Sequence, residues 1–180
     1  MRVLAIIPCK LDSKRLTNKN ILEINGKRLV EYSIEYALQS KYISDVIISS
    51  ESDSLKDIAD VHKVLFHKRD ISLCGDTEVV DVYISIVNEL TDEYDLVVCL
   101  QPDNPDRDYS LDECIEYMIE NNYDDLITIN PLFKRSGSVR IFKFNYLKSG
   151  MVSKRIGCLR DSATDIHYDI DLESVKNKLK

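Results

Sequence analysis

Residues 3–7 read Val-Leu-Ala-Ile-Ile, and a strand with no polar face must be covered on both sides. Such strands sit in the middle of a mostly parallel sheet, and in open sheets of that kind ligands bind beyond the carboxyl ends of the strands. The strand is expected over 2–7. The loop that follows, residues 8–20, carries Lys10, Lys14, Arg15 and Lys19 and contains no glycine. Four cations at that end of a buried strand suit a polyphosphate, although a solvated charged loop has the same composition.

The rest of the chain alternates strand and helix patterns without a linker or an internal repeat. A helix is expected over 29–40, with Val30, Ile34, Ala37 and Leu38 at helical spacing, then a strand over 45–49. A short helix over 52–61 and a strand over 64–67 follow. Thr77 or Asp76 is expected to cap a helix over 78–90, which feeds an apolar strand over 95–100. Ser110 and Glu113 have the spacing of a capping box and open a helix over 111–121. Strands are expected over 126–129 and 139–144, with Ser149 and Gly150 ending a short helical turn. This alternation implies an α/β protein with three α/β/α layers around a mostly parallel sheet, built as a single domain over residues 1–180. At 180 residues and 44% hydrophobic content, the chain suffices for one buried core and is short for two.

Near the C-terminal end, residues 166–171 read as a strand, which would put Asp169 and Asp171 on one face. Two carboxylates held together call for a cation. Hard oxygen ligands beside phosphate suit Mg2+, which takes one or two carboxylates and keeps several waters. The alternative is a capping role at a helix over 172–179, with Asp171 as N-cap.

Composition removes several classes of function. A net charge of −7 argues against a nucleic-acid partner, which would need a basic face. No run approaches the length of a membrane span, and Met1-Arg2 enters the first strand directly, leaving no room for a signal peptide. The expected compartment is the cytoplasm. Five cysteines without a C-x-x-C pair suggest neither zinc nor a disulfide framework, and Cys9 beside Lys10 is expected to be structural rather than a nucleophile. Neither G-x-G-x-x-G nor a P-loop is present, which disfavours hydride transfer and P-loop kinases.

Several short motifs, in one order along nearly the whole chain, carry a family resemblance. They are Ser13-Lys14 with Lys19-Asn20, Asn25-Gly26-Lys27-x-Leu29, Arg69 with Leu73, Asp76 and Thr77, and Leu100-Gln101-Pro102 with Pro105. Ser136-Gly137-Ser138-Val139-x-Ile141-Phe142 and Asp169-x-Asp171 complete the series. On these residues the chain resembles the cytidylyltransferases that activate acidic sugars, the CMP-N-acylneuraminate (sialic acid) and CMP-3-deoxy-octulosonate synthetases. The resemblance implies a Rossmann-like nucleotidyltransferase fold and an enzyme that transfers CMP from CTP to an acidic sugar, releasing pyrophosphate. It implies that Lys14 and Lys19, with Lys10, Ser13 and Arg15, hold the triphosphate, and that Asn20 and Arg69 hold the nucleotide. Gln101 would face the acceptor and join Lys14 and Lys19 in catalysis. Asp169 and Asp171 would hold Mg2+, with Asp103 a third candidate because it matches the octulosonate-type turn.

The chain also departs from these relatives. Lys10 stands where they usually carry Arg, and Leu11 and Asp12 stand where they often carry glycine. Lys lacks the planar fork of Arg, so its grip on phosphate is weaker. Relatives place several tens of residues, including much of the sugar pocket and the dimer contact, where this chain has only residues 131–138. That shortening leaves open a smaller acidic acceptor such as a phosphonate, or a non-catalytic nucleotide- or sugar-binding relative. It also leaves the oligomeric state open.

Overall fold

A computed structural model describes residues 1–11, 16–151 and 153–179 of the chain. In chain order the elements are β1 (Val3–Pro8), β2 (Glu23–Ile24), β3 (Lys27–Arg28), α1 (Leu29–Leu38), β4 (Ile43–Ser50), α2 (Ser54–His62) and β5 (Leu65–Lys68). There follow α3 (Val79–Glu89), β6 (Leu96–Cys99), α4 (Leu111–Glu120), β7 (Asp125–Ile129), β8 (Arg135–Lys143), α5 (Phe144–Ser149), β9 (Ile156–Arg160) and α6 (Asp169–Lys178).

Seven strands form one sheet in the order β5-β4-β1-β6-β8-β7-β9. All neighbouring pairs are parallel except those of β8, which runs antiparallel to β6 and β7. Val3 to Ile7 are fully buried, as a strand at the centre of a covered sheet requires. Alternation divides the strand between two cores. Val3, Ala5 and Ile7 face a layer that includes α1, α2 and α4, while Leu4 and Ile6 face α3 and α5. Each fully buried aliphatic side chain of this kind contributes about 2 kcal/mol. The α/β/α layering expected from the sequence is therefore present. Strand order reverses between β1 and β6, and the crevice at such a reversal is where open sheets take their ligands.

Three local expectations need correction. Residues 166–171 are not a strand: α6 begins at Asp169, and Asp171 sits in its first turn. The Asp171 carboxylate accepts hydrogen bonds from the backbone N–H groups of His167 and Tyr168, at 2.9 and 2.8 Å. A helix turns about 100° per residue, so Asp169 and Asp171 no longer share a face. Thr77 does not cap α3; its hydroxyl donates to the carbonyls of Ser72 and Cys74, and Glu78 is the N-cap residue. Two elements also went unread. Asn25 and Gly26, both at positive φ, make the tight turn of the β2-β3 hairpin. The edge strand β9 is short, partly exposed and interrupted by Gly157, so its pattern is faint.

Helix α6 packs through Val175, with Leu172 and Leu179 partly buried beside it, against Ile24 and Leu29 of the hairpin region and against Ile166. This small core carries the C-terminal segment back to the opening loop. It thereby brings three remote parts of the chain to one place.

Candidate active site

A cavity of about 230 Å3 opens at the carboxyl ends of the central strands, lined by Lys10, Lys19, Asn20, Arg69, Gln101 and Asp103 among others. Six of the residues singled out in the sequence thus converge. Ser13, Lys14 and Arg15 lie outside the described residues.

The floor of the cavity is built from polar groups that are fixed by protein partners. Asn20 is buried, and its Nδ2 donates to the Lys10 carbonyl at 2.9 Å. Its Oδ1 is also buried and has no hydrogen-bond partner among the described residues. A buried acceptor left unpaired costs about 1–3 kcal/mol, so this atom is poised for a ligand donor. Arg69 is buried as well; its Nη2 donates to the Ser49 carbonyl at 2.6 Å and its Nε to Ser49 Oγ at 3.3 Å. Lys10 Nζ donates to the Gly75 carbonyl at 2.9 Å. Cys9, directly after β1, is fully buried, and burial pushes its thiol well above the ordinary range, with Arg69 pulling weakly the other way. It is no nucleophile, and the adjacent Lys10 does not activate it.

Lys19 occupies the junction of the three chain segments. Its Nζ donates to Asp103 Oδ2 at 2.5 Å and to the Ile166 carbonyl at 2.7 Å. The Ile166 N–H in turn donates to the Asp103 carbonyl at 3.0 Å. Two of the three ammonium protons are therefore committed, leaving one for a ligand. Burial pushes the Asp103 carboxyl above its usual range even though Lys19 opposes the shift. A further cation beside Asp103 would relieve that cost.

The extended run 164–167 supplies what the sequence reading missed. Ile166 turns into the core while Asp165 and His167 point the other way, and their ligand atoms lie with that of Asp103 within 4.8 Å of one another. Asp165 Oδ2 and His167 Nε2 are 3.0 Å apart. The alternation of Asp165, His167 and Asp169 is the signal that the sequence offers for this group. Among the described residues, Asp103, Asp165 and His167 form a group whose ligand atoms lie close enough together to hold a cation.

Gln101 lies between this cavity and a second one of about 270 Å3, lined also by Glu78, Tyr83, Arg135, Gly137, Arg140 and Asp165. β8 runs so close that a Cβ on Gly137 would lie 2.5 Å from Gln101 Cδ. The φ of Gly137 is not in the positive region, so what a side chain there would meet is the end of the Gln101 side chain, which would have to move. The Gln101 carbonyl accepts from Arg107 Nη2 at 2.8 Å, and Arg107 Nε donates to the Ser138 carbonyl at 2.9 Å. Arg107 stacks on Tyr36, 4.8 Å from the ring centre. Burial pulls its guanidinium down to about 10, which leaves it charged at neutral pH. Arg107 therefore clamps the Gln101 turn onto β8; in the sequence it reads only as one more charge in an acidic loop.

Among the described residues no helix is long and apolar enough to cross a membrane. A family model described as cytidylyltransferase matches residues 4–155. The chain is 30% identical over 141 residues to an N-acylneuraminate cytidylyltransferase of Escherichia coli, which covers 77% of this chain and 34% of that protein. It is 38% identical over 111 residues to a pseudaminic acid cytidylyltransferase of Campylobacter jejuni, covering 58% and 47% respectively. The chain thus spans about a third to about half of the length of these relatives. Among solved structures, a CMP:2-keto-3-deoxy-manno-octonic acid synthetase complexed with CTP superposes with a TM-score of 0.77 at 12% identity, covering 99% of this chain and 98% of that one. A cytidylyltransferase from Leptospira borgpetersenii gives 0.75 at 19% identity, covering 98% and 85%. At those identities the likeness is one of fold.

Proposed function

Because the chain belongs to the cytidylyltransferase family, we propose that it transfers CMP from CTP to an acidic sugar of the N-acylneuraminate or octulosonate kind. An acceptor oxygen attacks the α-phosphorus, the bond to the β-phosphate oxygen breaks, and pyrophosphate leaves. Such chemistry depends on positioning and on charge neutralisation. The observation that carries this reading is the unpaired, buried Asn20 Oδ1 in a cavity that also presents Arg69 and two lysines. That acceptor is matched by an N–H or O–H of a bound nucleoside.

In this reading Arg69 and Asn20 hold the nucleoside end. Lys10 and the third proton of Lys19 face the phosphates, and Ser13, Lys14 and Arg15 complete the grip. Gln101, pinned by Arg107 and Gly137 between the two cavities, orients the acceptor hydroxyl toward the α-phosphate. The carboxylates of Asp103 and Asp165 fit Mg2+, since both offer hard oxygens and burial already disfavours the bare Asp103 charge. His167, paired with Asp165 and close to Asp103, would complete the group around the ion. A bound Mg2+ supplies neutralisation of phosphate charge. The roles of Asp169 and Asp171 at the metal rest on the resemblance alone. The whole unit over 1–180 acts as one nucleotidyltransferase domain in the cytoplasm, a reducing compartment that suits its five free thiols, and binds no nucleic acid.

A second reading, a smaller acidic acceptor such as a phosphonate, is favoured by one observation. β7 and β8 are joined by a tight turn in which Asn130 Oδ1 accepts from the N–H groups of Leu132 and Lys134, so among the described residues this connection is too short to cover the acceptor cavity. The test is pyrophosphate release from CTP and Mg2+ against a panel of acidic sugars and phosphonates. Turnover with a nine-carbon or eight-carbon acidic sugar supports the first reading, and turnover confined to phosphonates the second. CTP binding with no release for any acceptor would overturn both in favour of a non-catalytic binding protein.

A further inference from the structure

Behind Arg69 runs a row of hydrogen bonds that leaves the cavity and ends at the surface. Ser49 on β4 and His67 on β5 are direct neighbours in the parallel register of these strands. Ser49 Oγ lies 3.0 Å from His67 Nδ1, and His67 Nε2 lies 3.0 Å from Glu89 Oε2 at the end of α3. The other oxygen of Glu89 accepts from Ser85 Oγ at 3.1 Å.

Arg69 Nε can only donate, so Ser49 Oγ accepts there and its own proton is free to go to His67 Nδ1. In the tautomer with its proton on Nε2, the ring accepts from Ser49 at Nδ1 and donates to Glu89. Every donor from Arg69 to Glu89 is then matched. The Ser-His-carboxylate order is also that of a nucleophilic triad, but Ser49 is fully buried and its oxygen already accepts from Arg69. It cannot reach a substrate.

We infer that Ser49, His67 and Glu89 are positioning residues for nucleotide binding, which set the rotation of the Arg69 guanidinium toward the base end of CTP. The inference rests on the nucleotide-site reading above. With Nε and Nη2 both tied to Ser49, the plane of the guanidinium is fixed, and its remaining N–H groups, beside Cys74 at the cavity, are those left for ligand. Loss of the row leaves the Nη2 bond to the Ser49 carbonyl alone and loosens that plane without removing the charge. The effect belongs in CTP affinity and not in the chemical step.

The test is calorimetric titration of the full chain with CTP and Mg2+, together with kcat and the thermal midpoint, for Ser49→Ala, His67→Phe, Glu89→Ala and Arg69→Ala. Ser49→Ala is expected to weaken CTP binding about fivefold to tenfold, the net worth of one ordinary hydrogen bond, with kcat unchanged at saturating CTP. His67→Phe and Glu89→Ala follow in decreasing order. On an Arg69→Ala background, Ser49→Ala should cost no further affinity, a non-additivity that a merely structural contact would not produce. Should Arg69→Ala not fold, Arg69→Lys serves, and Glu89→Ala, at the surface end, keeps the row testable in either case. Unchanged CTP affinity in Ser49→Ala and Glu89→Ala, with Arg69→Ala impaired, would overturn the row alone. Unchanged affinity in Arg69→Ala would overturn the nucleotide-site reading and the row with it.

Discussion

At the scale of single residues, Gly137 and Lys19 show how little freedom the site has. A Gly137→Ala side chain must push the Gln101 amide away from β8, and displacing a positioning group by about 1 Å costs on the order of 100-fold in rate. Steady-state kinetics should record that loss in kcat with CTP affinity retained, and wild-type turnover would show that Gln101 is not poised against the acceptor. Lys19→Met leaves the Asp103 carboxylate without its cation in a largely buried setting, where removing one partner of a pair costs about 3 kcal/mol. Denaturant melting should show it, and an unshifted curve would mean that the junction of three segments does not depend on this pair. The cysteines sort by burial in the same way. Cys9, Cys99 and Cys114 are buried with thiols pushed upward by burial, while Cys158 is exposed on β9. A native thiol titration should read Cys158 first and the half-buried Cys74 more slowly, with the other three appearing only on unfolding.

At the scale of elements, α6 makes Asp171 a capping residue before anything else. Asp171→Ala removes the acceptor for two backbone N–H groups and should cost about 1 kcal/mol, whereas Asp171→Asn keeps an acceptor and costs less. A drop of about 3 °C in Tm for the alanine variant alone would match that role. The metal assignment separates in the same experiment. Asp103→Asn and Asp165→Asn should abolish Mg2+-dependent turnover, and full activity in both would return the metal to Asp169 and Asp171. Helix α4 is the counter-example in which local chemistry was fully readable. Ser110 Oγ accepts from the Glu113 N–H at 3.3 Å and Glu113 Oε2 from the Ser110 N–H at 2.7 Å, the reciprocal box that the spacing implies.

At the scale of the whole molecule, an acidic protein with a basic loop at one strand end should discriminate among ligands by the nucleoside and not by charge alone. CTP is expected to raise the thermal midpoint more than ATP or GTP at equal concentration, because the ligand that binds the folded state most tightly stabilises it most. A purine preference would remove the cytidylyl assignment. Assembly is a separate matter. A dimer interface of ordinary size buries about 800 Å2 per partner, far more than the turn joining β7 and β8 can supply. Leu132 and Phe133 are exposed at the tip of that turn. Light scattering should give the same mass before and after both are changed to Asp; a dimer that dissolves on that change would place the contact where the chain is short.

The parts of this protein that were legible in the sequence are those governed by local periodicity. The continuous apolar run 3–7 required a covered central strand, the helical spacings on either side of β4 and β6 required two outer layers, and Lys10 and Lys19 of the opening loop lie at the cavity beyond the strand ends. What could not be read is where one segment depends on another far away. Asp165 and His167 become neighbours of Asp103 only because Val175 and Ile166 bury against the β2-β3 hairpin, and that contact has no period in the sequence. Asp171 pairs with Asp169 by strand spacing, and in the structure its carboxylate accepts from two backbone N–H groups at the start of α6. Ser49, His67 and Glu89 lie on three elements whose register is set by sheet pairing and helix packing, so their row has no motif at all. Local pattern is a property of neighbouring residues, while a site is a property of side chains brought together by burial of surfaces remote from it.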